Sequence, residues 1–297
     1  MSRIQSWINA VERATGVTSL EALWKVSEFA LKIYNPGMNV YERDWDVLVI
    51  LDACRPGMMR RIGPEYGFGD VETVWSIANM SNEWMERTFV DEYADEIART
   101  AYVSGNPFTR NHEWDVATLE EVWTYGWDHE IKGVPARPVT DAALTTWRES
   151  EADRMIVHYM QPHFPSIPHP DVGEFGDLGD FGHGWNTVWG DAGEIIPEHV
   201  VREAYDDNLR YVLAEVNLLL DNIDAEHVSI TADHANAMGE FGIWGHPRIV
   251  LHPSIRRVPW VEATGRGPGD HDPEPVPETD DITDAEIEER LEALGYK

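Results

Sequence analysis

The chain alternates short apolar runs with longer stretches of helical periodicity. Val47-Leu48-Val49-Ile50-Leu51 and Met155-Ile156-Val157-His158-Tyr159-Met160 are nearly continuous apolar runs rich in β-branched residues. That is the pattern of strands buried on both faces. The run from His227 to Thr231 is similar and continues into Ala232-Asp233-His234, so this strand ends in two polar residues. Glu198 to Asn222 places Val201, Tyr205, Leu209, Val212, Val216 and Leu219 on one face, which predicts a long amphipathic helix. Trp84 to Thr100 also has helical composition. Strands alternating with helices predict an α/β fold, with a mostly parallel central sheet flanked by helices.

The two ends differ from this middle. Residues 1–40 are expected to form a helical segment packed on the core, with Leu20 to Ile33 as an amphipathic helix interrupted by Lys25, Glu28 and Lys32. Residues 41–263 hold the predicted catalytic domain. Residues 264–297 form an acidic Pro/Gly tail with a short final helix, where Thr283 and Glu286 make a capping box, Ile287, Leu291 and Leu294 an apolar stripe, and Gly295 the stop. Between Gly173 and Gly193 lie seven glycines with Phe181, His183, Trp185 and Trp189 among them. Its aromatic content favours a binding loop over a linker.

Composition adds an unusual charge. Across 297 residues, 54 acidic side chains face 23 basic ones, a net charge of −31. The acids are spread along the chain, and 42% hydrophobic residues with 13 Trp argue against disorder. The pattern is that of a cytoplasmic protein from a salt-accumulating halophile. It excludes nucleic acid and anionic lipid as expected partners, because no basic stripe is available to neutralise phosphates. It also predicts unfolding by self-repulsion in dilute buffer. The melting temperature should rise steeply from dilute buffer to molar KCl, and a flat response would contradict this reading. The start of the chain lacks the apolar core of a signal peptide, and no stretch is long enough to span a bilayer, so the expected location is the cytoplasm. The single cysteine, Cys54, allows no internal disulfide.

The candidate chemistry sits where the strands end. Val47-Leu51 runs into Asp52, and the third strand runs into Asp233-His234. In open α/β sheets, sites form at the carboxyl ends of strands, so these residues suggest a metal site assembled across one sheet. Carboxylate and imidazole together suit Zn²⁺ or Mn²⁺ better than Ca²⁺. Ser81, just before a helical run, is either a helix N-cap or a nucleophile activated by a bound cation. Histidines cluster after the second strand as His158, His163 and His169, and His246 follows the Asp-His pair. His163 and His246 lie in Pro- and Gly-rich turns and are candidates for the site, whereas His158 reads as buried structure. Arg55 either contacts an anionic substrate or pairs with surface acids.

Taken in order, these pieces resemble the alkaline phosphatase/sulfatase superfamily. They are Val-Leu-Val-Ile-Leu-Asp52, then Ser81 at a helix start, Tyr159-Met160-Gln161-Pro162-His163-Phe164-Pro165, Thr231-Ala232-Asp233-His234 with Met238-Gly239-Glu240, and Gly245-His246-Pro247. The likeness runs from about residue 44 to 297 and is nearest to haloarchaeal sulfatase-like proteins and to phosphoethanolamine- or glycerol-phosphate-transferring relatives. It implies a three-layer sandwich in which Asp52, Ser81, Asp233 and His234 hold a divalent metal, with one or two ions in all. Ser81 would be the nucleophile, and His163 and His246 would be catalytic or bind the substrate phosphate or a second metal. Arg55 and His169 join them as candidate substrate contacts. The implied activity is metal-dependent hydrolysis or transfer on a phosphoric ester, most naturally a phosphodiester. A sulfatase is the alternative, and a non-catalytic binding protein on the same fold is a second one. The chain departs from the pattern at Ala235, where the family usually has Gly. It also departs at Cys54-Arg55-Pro56-Gly57-Met58, where the sulfatase Cys-x-Pro-x-Arg motif would need Arg in place of Met58.

Overall fold

The computed structural model describes residues 36–172, 188–189, 192–193, 195–246, 252–275, 283, 286–287 and 290. The N-terminal helix over Leu20 to Ile33, the loop aromatics Phe181, His183 and Trp185, and Leu291, Leu294 and Gly295 of the last helix lie outside the described residues.

The described elements run β1 (Val47–Leu51), α1 (Pro56–Ile62), β2 (Glu72–Trp75), α2 (Ser81–Thr88), α3 (Ala94–Ile97), β3 (Thr100–Ser104), β4 (Thr118–Glu121), α4 (Ala136–Glu149), β5 (Arg154–Tyr159), α5 (Glu198–Asp221), β6 (Val228–Thr231), β7 (Ala237–Met238), β8 (Trp244–Gly245), α6 (Pro253–Arg256) and β9 (Arg257–Ala263). Seven strands form one sheet in the order β2-β9-β6-β1-β5-β3-β4. The five from β6 to β4 are parallel, and β9 and β2 add an antiparallel edge. This is the predicted mostly parallel sheet. β1 lies at its centre, and all five of its residues are buried.

Helices cover both faces. Along β5, Tyr159 points to α4, where its hydroxyl meets Thr140 Oγ1 at 2.9 Å. His158 points the opposite way, against Trp84 of α2 at 5.8 Å between ring centroids. The period-two alternation of a strand thus sends neighbouring residues into different layers. α5 buries Val201, Tyr205, Leu209, Val212, Val216 and Leu219, the stripe its spacing predicts.

The region from Trp84 to Thr100 is not one helix. α2 ends at Thr88, α3 is a single turn, and Thr100-Ala101-Tyr102-Val103-Ser104 is the buried strand β3. Its β-branched and aromatic residues pair with β5 on one side and β4 on the other, which outweighs helical composition. The third strand is also shorter than its run. It ends at Thr231, leaving Asp233 and His234 free of the ladder.

Residues 264–275 follow the surface without regular structure and are tied down at their start. The amides of Gly265, Arg266 and Gly267 donate to the carbonyls of Ala225, Leu220 and Ile223 at 2.8, 2.7 and 2.9 Å. The predicted capping box is present: Thr283 N donates to Glu286 Oε2 at 2.9 Å, and Glu286 N to Thr283 Oγ1 at 3.3 Å.

The turn carrying His163 is fastened from α5. Buried Asn208 directs Nδ2 at the carbonyls of Pro162, His163 and Pro165 at 3.2, 3.0 and 3.0 Å, and its Oδ1 accepts from Ile167 N at 3.0 Å. Asn208→Ala would strand these groups without partners, so it should cost about 3 kcal/mol in a denaturant titration. A loss under about 0.5 kcal/mol would show that the turn holds itself.

Candidate active site

Adjacent strands bring the ligands together. β1 and β6 are parallel neighbours with Ile50 beside Thr231, and two further residues put Asp52 beside Asp233. Asp52, Asp233 and His234 are fully buried, and one ligand atom from each lies within 4.8 Å of the others.

Each carboxylate spends one oxygen on the protein. Asp52 Oδ2 accepts from the Ser81 hydroxyl at 3.2 Å and from Asn106 Nδ2 at 3.1 Å. Asp233 Oδ1 accepts from the amides of Ala53 and His234 at 3.1 and 2.9 Å. His234 Nδ1 lies 3.2 Å from the Ala235 carbonyl, which makes Nδ1 the protonated nitrogen and leaves a lone pair on Nε2. The remaining atoms, Asp52 Oδ1, Asp233 Oδ2 and His234 Nε2, are buried without a hydrogen-bond partner among the described residues. His234 Nε2 is 3.4 Å from Asp52 Oδ1 and 3.5 Å from Asp233 Oδ2.

Three electron-rich atoms facing one point out of water are costly unless a cation lies between them. The spacing fits one, since two ligands each about 2.1 Å from a tetrahedral metal lie roughly 3.4 Å apart. The residues present therefore fit a divalent ion held by Asp52, Asp233 and His234, with Ser81 alongside.

Ser81 is the first residue of α2 and is fully buried. The N-cap is Met80, so Ser81 does not serve as the cap. Its hydroxyl is committed to the carboxylate cluster.

His163 and His246 flank the cluster. Their Nε2 atoms are 3.1 Å apart, and the His246 ring centroid is 4.4 Å from that of His234. His163 Nδ1 lies 2.9 Å from the Phe164 carbonyl, so its proton sits there and Nε2 accepts from the His246 N–H. Burial pushes His163 down to about 4 and His246 well below the ordinary imidazole value. Both are thus neutral near pH 7, each with one donor and one acceptor nitrogen. Burial and the neighbouring Asp233 raise Asp52 well above the usual carboxylate range. For Asp233 burial acts in the same direction, but His234, His158, Ser81 and the Ala53 amide outweigh it and hold it low.

Among the other expected residues, Arg55 lies at the edge of this region, at the N-cap of α1 and ion-paired with Glu240. His169 is not brought to the cluster. It bonds to Asp207 of α5 at 2.7 Å, and Asp207 in turn pairs with Arg210. Cys54 is fully buried, and burial pushes its thiol far up, the opposite of a reactive cysteine.

Two neighbours of the ligands were not anticipated. Asn106 follows β3, and Gly-Asn-Pro at a strand's carboxyl end would have marked it had β3 been recognised. His158 belongs to the strand run but also abuts the site. Its Nδ1 is 2.8 Å from the Tyr102 hydroxyl, and its buried Nε2 lies 3.8 Å from Asp233 Oδ2.

The sequence matches no family model and no curated protein. Similarity appears in three dimensions. The integral membrane phosphoethanolamine transferase A that acts on lipooligosaccharide in Neisseria meningitidis superposes with a TM-score of 0.52 at 13% identity, over 74% of this chain and 47% of that one. A candidate sulfatase from Bacteroides thetaiotaomicron superposes with a TM-score of 0.50 at 11% identity, over 78% of this chain and 65% of that one. The chain has the alkaline phosphatase/sulfatase fold. It spans about half the length of the Neisseria transferase. Among its described residues, no helix is long and apolar enough to cross a membrane. Within this fold, the cluster lies at the carboxyl ends of the central strands β1 and β6, the ordinary place for a site in an open α/β sheet.

Proposed function

We propose that the protein is a divalent-metal-dependent enzyme that hydrolyses or transfers a phosphodiester group through Ser81. One observation carries this reading: a buried serine hydroxyl is bonded to a carboxylate whose other oxygen, together with Asp233 Oδ2 and His234 Nε2, has no hydrogen-bond partner among the described residues. The neighbours on the same fold, one named for phosphoethanolamine transfer and one as a candidate sulfatase, fit ester chemistry. Two carboxylates and one imidazole suit Zn²⁺ or Mn²⁺. When bound, the ion lowers the serine pKa and polarises a phosphoryl oxygen.

The chain's own groups supply the rest. Ser81 Oγ forms a bond to phosphorus while its proton departs along the hydrogen bond to Asp52 Oδ2. The bond from phosphorus to the leaving oxygen breaks in line, and that oxygen keeps the electron pair. The leaving oxygen takes its proton from water, because neutral His246 gives its one N–H to His163 Nε2. His163 holds His246 in that tautomer and is itself fixed by the Phe164 carbonyl. Water or an acceptor hydroxyl then releases the group from Ser81.

A sulfatase mechanism of the formylglycine type would need Cys54 in the cluster. Ser81 bonds to the carboxylate cluster, whereas Cys54 Sγ is directed at the Arg55 carbonyl, which favours Ser81 instead. The distinguishing experiment compares chromogenic phosphodiester, phosphomonoester and sulfate esters with added Zn²⁺ or Mn²⁺. Cleavage should be fastest on the diester and vanish in Ser81→Ala. Sulfate cleavage that survives in Ser81→Ala would overturn the assignment.

A further inference from the structure

Beside the ligand cluster, a cavity of about 240 Å³ opens between the first turn of α1, strand β2 and the corner between α6 and β9. Arg55, Arg60 and Arg257 line it together with Thr73 and Ser254, and among the described residues no carboxylate does. That is unusual in a chain where 54 acidic residues outnumber 23 basic ones.

Neutral groups hold two of these arginines. Arg60 donates to the Val71 carbonyl at 3.1 Å and to the Thr73 hydroxyl. The Arg257 guanidinium lies over the Trp75 ring, 5.3 Å from its centroid. Neither has a carboxylate within ion-pair distance among the described residues, whereas Arg55 is balanced by Glu240. The cavity thus presents two positive charges with no carboxylate paired to them among the described residues, next to two neutral hydroxyls. Planar guanidinium groups match the geometry of phosphate-type oxyanions.

The cavity adjoins the proposed reaction centre. The Ala53 amide donates to Asp233 Oδ1, and Arg55 follows two residues later, so its backbone lies within about 7 Å of that contact. Resting on the Ser81 reading above, we propose that this cavity binds a second phosphate-type oxyanion of the substrate, separate from the phosphorus that Ser81 attacks. The preferred substrate is then a phosphodiester carrying a further phosphate group.

The test has a chemical and a kinetic arm. In the chemical arm, phenylglyoxal modification of the wild-type protein, treated with EDTA, is read arginine by arginine by mass spectrometry, with and without inorganic phosphate. Phosphate should slow modification of Arg60 and Arg257 at least fivefold relative to Arg43 and Arg266, which lie elsewhere and pair with Glu72 and Asp221. Equal rates with and without phosphate would overturn the anion site. In the kinetic arm, thymidine 5′-(p-nitrophenyl phosphate) is compared with the same ester carrying a 3′-phosphate. Wild type should favour the doubly phosphorylated ester in kcat/KM by about tenfold or more. That ratio should collapse towards one in Arg60→Ala/Arg257→Ala. Protection by phosphate without any preference between the esters would overturn the substrate assignment, leaving a site for free phosphate. A wild type inert on both esters would instead overturn the Ser81 reading, and the protection arm would still report on the cavity.

Discussion

Ser81→Ala should lower turnover of a phosphodiester by on the order of 10⁴-fold or more while leaving the metal in place. Removing a nucleophile forces water to attack directly, and losses of that size follow when a unit of covalent catalysis is broken. The metal should stay because its three proposed ligand atoms, Asp52 Oδ1, Asp233 Oδ2 and His234 Nε2, do not involve the serine. Metal content and melting temperature of the variant, measured beside kcat, separate loss of the nucleophile from loss of the site. Turnover within about tenfold of wild type would remove Ser81 from the mechanism. Loss of metal along with activity would instead assign Ser81 chiefly to binding the ion.

The second large effect concerns stability. Chelation should lower the melting temperature of the wild-type protein by on the order of 10 °C. An ion present at a thousand times its dissociation constant stabilises by about 4 kcal/mol, and each kcal/mol moves a domain of this size by roughly 2–4 °C. Without the ion, Asp52 and Asp233 face each other fully buried, with one oxygen each lacking a hydrogen-bond partner among the described residues. Asp233→Asn removes one of those charges. It should abolish the metal-dependent rise in melting temperature, and under EDTA it should be at least as stable as the wild type. Both outcomes follow if a cation offsets the repulsion between two buried carboxylates. If EDTA leaves the wild-type melting curve unchanged and Asp233→Asn is strongly destabilised under EDTA, the cluster is a structural network and not a metal centre.

What could be read from the sequence follows burial. β1, β5 and β6 are central strands covered on both faces, so their apolar runs stand out from the chain. The outer strands do not. Glu72-Thr73-Val74-Trp75 and Thr118-Leu119-Glu120-Glu121 carry polar residues on faces that solvent reaches, and such short mixed runs have no clear period. β3 was hidden for another reason. Its buried run is only five residues long and follows directly on helical turns, so composition carried the helix past its end. The site shows the same division. Asp52, Asp233 and His234 were legible because strands deliver them, and Ser81 because a helix begins there. Asn106 depended on β3, and His158 looked like core because it is core. It packs against Trp84 and Tyr102 while also touching the ligand layer. His169 has the local surroundings of a site residue, but the long helix supplies Asp207 as a partner that local sequence does not show.

The most direct test of the serine mechanism is to trap the adduct. The protein would be mixed with bis(p-nitrophenyl) phosphate and Zn²⁺ or Mn²⁺, quenched in acid within the first turnover, digested and sequenced by mass spectrometry. The account predicts a p-nitrophenyl phosphoryl group on Ser81, absent when EDTA is present from the start. The same group on Cys54 or any other residue, with Ser81 unmodified, would contradict it.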